Sequence, residues 1–105
     1  MRLIFATCSP GEAEPVLRAL LEERLVGCGN LIPAVTSLFW WEGEVAREEE
    51  VVMLMETTAE LVQQAAARLR ELHPYDVPKI VVIDPSTADP DYVAWLRGVT
   101  GQPGP

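Results

Sequence analysis

The stretch NLIPAVTSLFWWEGEVAREEEVVMLMET, residues 30–57, sets the architecture of the chain. Its first part, 30–41, is rich in β-branched and aromatic residues, which is typical of a β-strand. A Glu-Gly reversal then leads into a second strand over Glu44–Thr57, so the stretch predicts a long β-hairpin. Pro33 lies inside the first strand, where it removes a donor from the hydrogen-bond ladder. That strand is therefore expected at an edge of the sheet or with a bulge.

Apolar residues at helical spacing predict a helix on each side of the hairpin. The first is expected to begin near Glu12–Glu14 and to be ended by Gly27 and Gly29. The second is expected to begin with a capping box of Thr57 and Glu60, and to end at Pro74 because a proline cannot continue a helix. The buried stripes are formed by Val16, Leu17, Leu20, Leu21 and Leu25 in the first helix and by Leu61, Ala65, Leu69 and Leu72 in the second.

The remaining elements complete a known arrangement. Apolar runs at 2–7 and 79–84 are typical of buried strands, and Asp89 followed by Pro90 predicts the start of a last helix. The order β-α-β-β-α-β plus a terminal helix is that of a ferredoxin-like α+β protein. Its usual sheet order, 4-1-3-2, places the proline-containing strand at an edge. All 105 residues are expected to form one domain, with 100–105 as a frayed tail.

The strands are too apolar for a sheet with one side in water. A half-covered sheet should alternate apolar and polar residues, but the runs LIFA, VVMLM and IVVI are apolar at successive positions. One short terminal helix cannot cover the second side of four strands. We therefore expect an obligate oligomer in which copies bury that side, together with the edge strand and the hairpin tip at Phe39, Trp40 and Trp41. The alternative is that the terminal helix and scattered surface hydrophobic residues suffice.

Composition and motifs exclude several functions. A net charge of -8 disfavours a nucleic-acid partner, because phosphate binding needs basic patches. No apolar run approaches the ~20 residues that cross a bilayer, so no membrane partner is expected. The chain start is not typical of a signal peptide, and two cysteines favour a reducing cytoplasm. With no phosphate loop and no base–nucleophile motif, enzyme activity is not expected.

His73, the one histidine of the chain, is the first candidate for chemistry. The topology brings Cys8, after the first strand, to the same end of the sheet as His73 and Asp76. Thiolate, imidazole and carboxylate together suit copper or zinc, so these three residues are the candidate ligands for copper or another divalent cation. The alternative is that His73 only ends the second helix, where its ring caps carbonyl groups.

Two other groups of polar residues receive a structural interpretation. Cys28 falls at the opposite end of the sheet and is expected to be a buried small hydrophobe. Glu42, Glu44 and the run 48–50 are expected to form a solvated, charged hairpin that prevents edge-to-edge aggregation. Their alternative role is weak capture of cations. Seven arginines against one lysine, with nine prolines, favour a heat-adapted or GC-rich source.

Three separated motifs resemble one protein family. The segment GCGNLIPAVTSLFWWEGEV, residues 27–45, resembles the C-x-N-[IL]-I-P core and W-x-G turn of CutA-type divalent-cation tolerance proteins. HPYD at 73–76 resembles that family's H-P-Y-[ED] motif, and DYVAWL at 91–96 resembles its closing helix. The resemblance implies a ferredoxin-like fold, a tight trimer joined through edge strands, and a cytoplasmic bacterial protein linked to copper and other divalent cations. Enzyme activity is not part of what it implies.

A second class shares the same architecture. Ferredoxin-like sensors of the PII or ACT type bind a nucleotide or an amino acid between subunits. The hairpin tip around Gly43 is short and lacks the long glycine-rich loop that a phosphate sensor would need, which disfavours this alternative.

Overall fold

The structure, a computed structural model, describes residues 1–101. Four strands in these residues form one antiparallel sheet in the order β2-β3-β1-β4, which is the predicted 4-1-3-2 read from the other edge. The predicted α+β ferredoxin-like fold is confirmed, and β2, which contains Pro33, is an edge strand. Residues 102–105 of the predicted tail lie outside the described residues. The elements are β1 (Arg2–Cys8), α1 (Ala13–Glu22), β2 (Cys28–Trp41), β3 (Glu44–Thr57), α2 (Val62–Leu72), β4 (Ile80–Ile83) and α3 (Pro90–Val99).

The end of α1 differs from the prediction. The helix ends at Glu22 rather than at Gly27, and Arg24 adopts a positive φ of 61° just after it. The Arg24 guanidinium donates a 2.7 Å hydrogen bond to the carbonyl oxygen of Val99, the last residue of α3. The turn at Arg24 is therefore accompanied by a hydrogen bond to the end of α3. Leu25 is still buried, but it lies beyond the helix.

The start of α2 also differs from the prediction. The Thr58 hydroxyl, rather than that of Thr57, accepts a 3.2 Å hydrogen bond from the backbone N–H of Leu61. The Thr57 hydroxyl instead donates a 2.6 Å hydrogen bond to the Leu25 carbonyl oxygen. Thr57 thus joins the end of β3 to the segment that follows α1. The predicted capping box of Thr57 and Glu60 is not formed, because Thr57 is engaged by the Leu25 carbonyl group and the N-cap residue, Leu61, makes no side-chain cap hydrogen bond.

A β-bulge in β2 determines which side of the sheet the hairpin side chains occupy. The register with β3 shifts just after Ile32, and Ala34 there has a φ of 61°. Because side chains alternate along a strand, one extra residue exchanges the two faces. Phe39 and Trp41 therefore lie on the same side as Ile32, whereas Trp40 lies on the other side.

The two faces of the sheet are covered differently. On the face that packs against α1 and α2, side chains such as Ile4 and Met53 are fully buried. On the opposite face, called the bare face here, Ile32, Val81 and Ile83 remain 40% to 46% exposed. This agrees with the successive apolar residues of the strands. The bare face is formed by Leu3, Phe5, Ile32, Val52, Leu54, Val81 and Ile83.

None of the helices in residues 1–101 has both the length and the apolar composition that a membrane span requires.

Candidate functional site

His73 ends α2 and lies against the end of β1. Its backbone is extended (φ -70°, ψ 135°), as expected for a residue before a proline. Nε2 of its buried ring lies 2.7 Å from the Thr7 carbonyl oxygen, and Nδ1 accepts a 3.2 Å hydrogen bond from the backbone N–H of Tyr75. Because Nδ1 is an acceptor, Nε2 carries the proton and donates it to Thr7. Both ring nitrogens are therefore engaged.

Tyr75 links this histidine to a buried carboxylate. The Tyr75 hydroxyl donates a 2.8 Å hydrogen bond to Glu50, and the Tyr75 ring meets the His73 ring edge-on with centroids 4.7 Å apart. Glu50 is only 5% exposed, so the prediction that all of 48–50 is solvated was wrong for this residue. Burial, and then the bond to Glu50, raises the pKa of Tyr75 above its usual range, so the phenol stays protonated.

The other two candidate ligands lie near this end of the sheet in different environments. Cys8 is fully buried, and burial raises the pKa of its thiol. The Asp76 side chain is exposed, while its backbone carbonyl oxygen accepts a 3.0 Å hydrogen bond from Arg70. In the part of the chain that the structure describes, no three His, Cys, Asp or Glu side chains are grouped closely enough to hold a metal ion. The set His73, Cys8 and Asp76 therefore stays a prediction, and it does not form a ready three-ligand site within one chain.

The opposite end of the bare face carries a similar pair. The Tyr92 hydroxyl of α3 donates a 3.2 Å hydrogen bond to Glu56, and the Tyr92 ring stacks on Trp95 at 5.4 Å. Cys28 lies directly across the strands from Glu56 and is partly exposed rather than buried as predicted. Burial raises the pKa of its thiol, which disfavours the reactive thiolate. Cys8 and Cys28 are both free thiols.

Sequence reasoning missed Glu50 and Tyr75 as members of this site. Side chains alternate along β3, so counting back from Val52 places Glu50 on the bare face, and that signal was available. The contact with Tyr75 joins two positions that are 25 residues apart in the chain, and no local pattern indicates it.

Fold and site together define a class: an α+β ferredoxin-like protein with an extended hairpin and polar clusters at both ends of an open sheet face. The family model for the CutA1 divalent ion tolerance protein matches residues 2–99. The divalent-cation tolerance protein CutA of Thermus thermophilus is 39% identical over 89 residues, which cover 85% of this chain and 86% of that protein. The chain belongs to the CutA1 family, which confirms the resemblance seen in its motifs.

Solved structures agree with this assignment. The PII-like protein CutA from Nostoc sp. PCC 7120, in apo form, has a TM-score of 0.90 and 34% identity, covering 95% of this chain and 97% of that one. The periplasmic divalent cation tolerance protein CutA from Archaeoglobus fulgidus has a TM-score of 0.89 and 29% identity, and the match covers 95% of this chain and 99% of that one.

Proposed function

We propose that this chain acts in divalent-cation tolerance as a cytoplasmic homotrimer, binding copper or another divalent cation weakly and catalysing no reaction. The observation that carries the proposal is the bare face, which an isolated chain leaves open to water. Exposed apolar patches of this kind are typical of interaction surfaces. The family names of the relatives supply the link to divalent cations.

Assembly through the bare face accounts for the hairpin as well. The bulge in β2 places Phe39 and Trp41 on the same side as Ile32, so the hairpin extends the apolar surface beyond the helices. β2 and β4 are the two edges of the sheet, and pairing of one copy's edge with the next would protect both. A ring of copies covers faces and edges together, and the resemblance to CutA proteins favours three.

The end of the sheet at His73 is the proposed place for the cation. His73, Cys8 and Asp76 offer the nitrogen, sulfur and oxygen atoms that copper accepts. His73 must first give up its hydrogen bond to Tyr75 or to Thr7, and Cys8 must lose a proton whose pKa is raised. Both requirements lower the affinity, which supports weak binding. Copper is expected to bind more tightly than zinc, following the usual order of divalent ions.

A copper titration followed by calorimetry tests the proposed ligands. We expect His73→Ala to weaken binding by about tenfold or more. His73→Gln is a second variant that keeps an N–H donor for the Thr7 carbonyl group. If it loses as much copper affinity as His73→Ala, the cause is the missing imidazole ligand and not the missing packing. Both variants should keep the oligomeric mass of the parent.

A charge-matched pair of variants serves as the control. Asp76→Asn should weaken copper binding, whereas Asp84→Asn should not. Asp84 lies at the other end of the sheet, where its carboxylate forms a 3.3 Å ion pair with Arg2. Equal copper affinity in the parent, both His73 variants and Asp76→Asn would leave His73 as a helix terminator only.

A PII-like sensor is the second candidate function. It is favoured by the Nostoc structure, which is described as a PII-like protein. Titration of nucleotides and amino acids into the sample used for copper separates the two functions. Tight binding of a nucleotide with no binding of copper would favour the sensor.

The cytoplasmic location rests on the two free thiols, which suit a reducing compartment. Because the Archaeoglobus relative is described as periplasmic, fractionation of the source cells is the direct test. Recovery in the cytoplasmic fraction is expected, and recovery outside it would contradict the proposed location.

A further inference from the structure

The two ring nitrogens of His73 differ in what they can offer to a cation. Nε2 carries the proton and lies 2.7 Å from the Thr7 carbonyl oxygen, so it has no free electron pair. Bonds from a metal ion to nitrogen are about 2.0 Å long, which leaves no room for an ion between these two atoms. Nδ1 has the free electron pair of the ring, and a neutral imidazole nitrogen of this kind is a common metal ligand. The chemical state of the ring therefore favours Nδ1.

Nδ1 is covered by a short segment that follows α2. The backbone N–H of Tyr75 donates a 3.2 Å hydrogen bond to it. Residues 74–76, called the cover segment here, belong to no helix or strand. A cation that binds Nδ1 has to displace this N–H, and the cover segment has to move away from the ring.

Two hydrogen bonds hold the cover segment in place. The Tyr75 hydroxyl donates a 2.8 Å hydrogen bond to Glu50, whose side chain is buried on the bare face of the sheet. Arg70 of α2 donates a 3.0 Å hydrogen bond to the backbone carbonyl oxygen of Asp76. The Tyr75 ring also meets the His73 ring edge-on, with centroids 4.7 Å apart. Tyr75 is therefore fixed at both ends, through its N–H to the imidazole and through its hydroxyl to β3.

We propose that a cation binds His73 through Nδ1, and that Tyr75 and Glu50 are positioning residues that keep the Tyr75 N–H on this atom when no cation is bound. The inference rests on the cation binding proposed above and adds its regulation. An affinity is lowered by the fraction of molecules in the state that can bind. The bond between Tyr75 and Glu50 reduces that fraction, which gives weak binding a specific structural cause. The exposed carboxylate of Asp76 belongs to the cover segment and moves with it.

The sign of one substitution separates this role from structural support. Tyr75→Phe removes the bond to Glu50, so copper should bind about threefold to tenfold more tightly than in the parent. A residue that only supports the site would lose affinity when it is truncated. Tyr92→Phe removes the same atom from the pair with Glu56 at the opposite end of the bare face, and it should leave copper affinity unchanged. Unchanged or weaker copper binding by Tyr75→Phe in calorimetry would overturn the proposal.

Two variants of Glu50 isolate the hydrogen bond from the charge. Glu50→Gln and Glu50→Ala both remove the negative charge, but only glutamine keeps an oxygen that can accept from Tyr75. Copper should therefore bind more tightly to Glu50→Ala than to Glu50→Gln. Equal affinities of the two variants would mean that Glu50 acts through its charge or as a ligand, and its positioning role would be wrong.

Nuclear magnetic resonance of the parent identifies the ligand atom directly. His73 is the one histidine of the chain, so the signals of its ring nitrogens are unambiguous. Without metal, Nε2 should be protonated and Nδ1 should not. Zinc is the probe because it is diamagnetic, and an excess of it should shift the Nδ1 signal while Nε2 keeps its proton. Loss of the Nε2 proton would overturn the proposal and leave His73 as a ligand. No change at either nitrogen would overturn the proposal together with ligation by His73.

Discussion

The two faces of the sheet are built from the same strands but are completed in different ways. Met53 and Leu54 are neighbours in β3, yet Met53 is fully buried beneath the helices whereas Leu54 lies on the bare face. At each end of the bare face a tyrosine hydroxyl meets a glutamate, Tyr75 with Glu50 and Tyr92 with Glu56. Only the apolar middle is left without cover from its own chain. This chain therefore completes one core alone, and in the proposed assembly other copies would cover the second face.

Two adjacent tryptophans give the largest expected contrast between the faces. Trp41→Ala should cost several kcal/mol of assembly stability, about 3–5 if its pocket is filled by another copy. Trp40→Ala should change stability by less than about 0.5 kcal/mol, because Trp40 is 75% exposed on the other side of the hairpin. Thermal unfolding at several protein concentrations measures both effects. A Trp41→Ala variant with the melting temperature and mass of the parent would show that Trp41 is a surface residue.

On the helix side, truncation should cost stability regardless of assembly. Met53 is fully buried, so Met53→Ala is expected to lose about 2–5 kcal/mol. Because this core lies within one chain, the loss should not depend on protein concentration. Chemical denaturation at two concentrations measures it, and a loss that disappears at the higher concentration would contradict the assignment of Met53 to the core of a single chain.

The two tyrosine–glutamate pairs should differ in strength. Tyr75→Phe leaves the Glu50 carboxylate without its phenol and should cost about 1–3 kcal/mol, since a buried acceptor loses its partner. Tyr92→Phe should cost less, because Glu56 is partly exposed. Equal losses of unfolding free energy in denaturant would mean that the burial of the glutamate does not set the strength of the two hydrogen bonds.

The same tyrosines predict a loss of stability in alkali. The pKa of both phenols is raised in the folded state, chiefly by burial. In the unfolded chain they titrate near ~10, so the stability that they contribute is complete below that pH and falls as the pH rises above it. Melting temperatures between neutral and strongly alkaline pH should show this fall. The double variant Tyr75→Phe with Tyr92→Phe should fall less steeply, and an unchanged slope would remove the tyrosines as its cause.

The smallest expected effect lies at the bulge. Ala34 has a φ of 61°, a conformation that glycine adopts without the steric cost of a Cβ atom. Ala34→Gly should therefore be neutral or stabilise by up to about 1 kcal/mol, which calorimetric melting can measure. Ala34→Val should destabilise. If glycine destabilises instead, the bulge is not strained in the way its φ indicates.

The elements that follow from local rules could be predicted from the sequence. Pro33 indicates an edge strand, and a Glu-Gly reversal indicates the hairpin. Asp89 with Pro90 indicates the start of α3, where the Asp89 side chain accepts a 3.1 Å hydrogen bond from the Tyr92 backbone N–H. All three depend on neighbouring residues alone. The second apolar face was also predictable, because successive apolar residues in a strand require cover on both sides.

Features that depend on distant contacts could not be predicted in the same way. α1 ends early beside a contact between Arg24 and the end of α3, which lies 75 residues away in the chain. The helix end at His73 was predictable, but the Thr7 carbonyl group that its ring contacts lies 66 residues away. The candidate site was therefore predictable in position and not in the atoms that surround it.

The mass of the protein in solution tests whether other copies cover the bare face. Light scattering at micromolar concentration should give three times the chain mass of 11.6 kDa, because the proposed trimer covers the bare face of each copy. A stable monomer at that concentration, with the bare face open to water, would contradict the account.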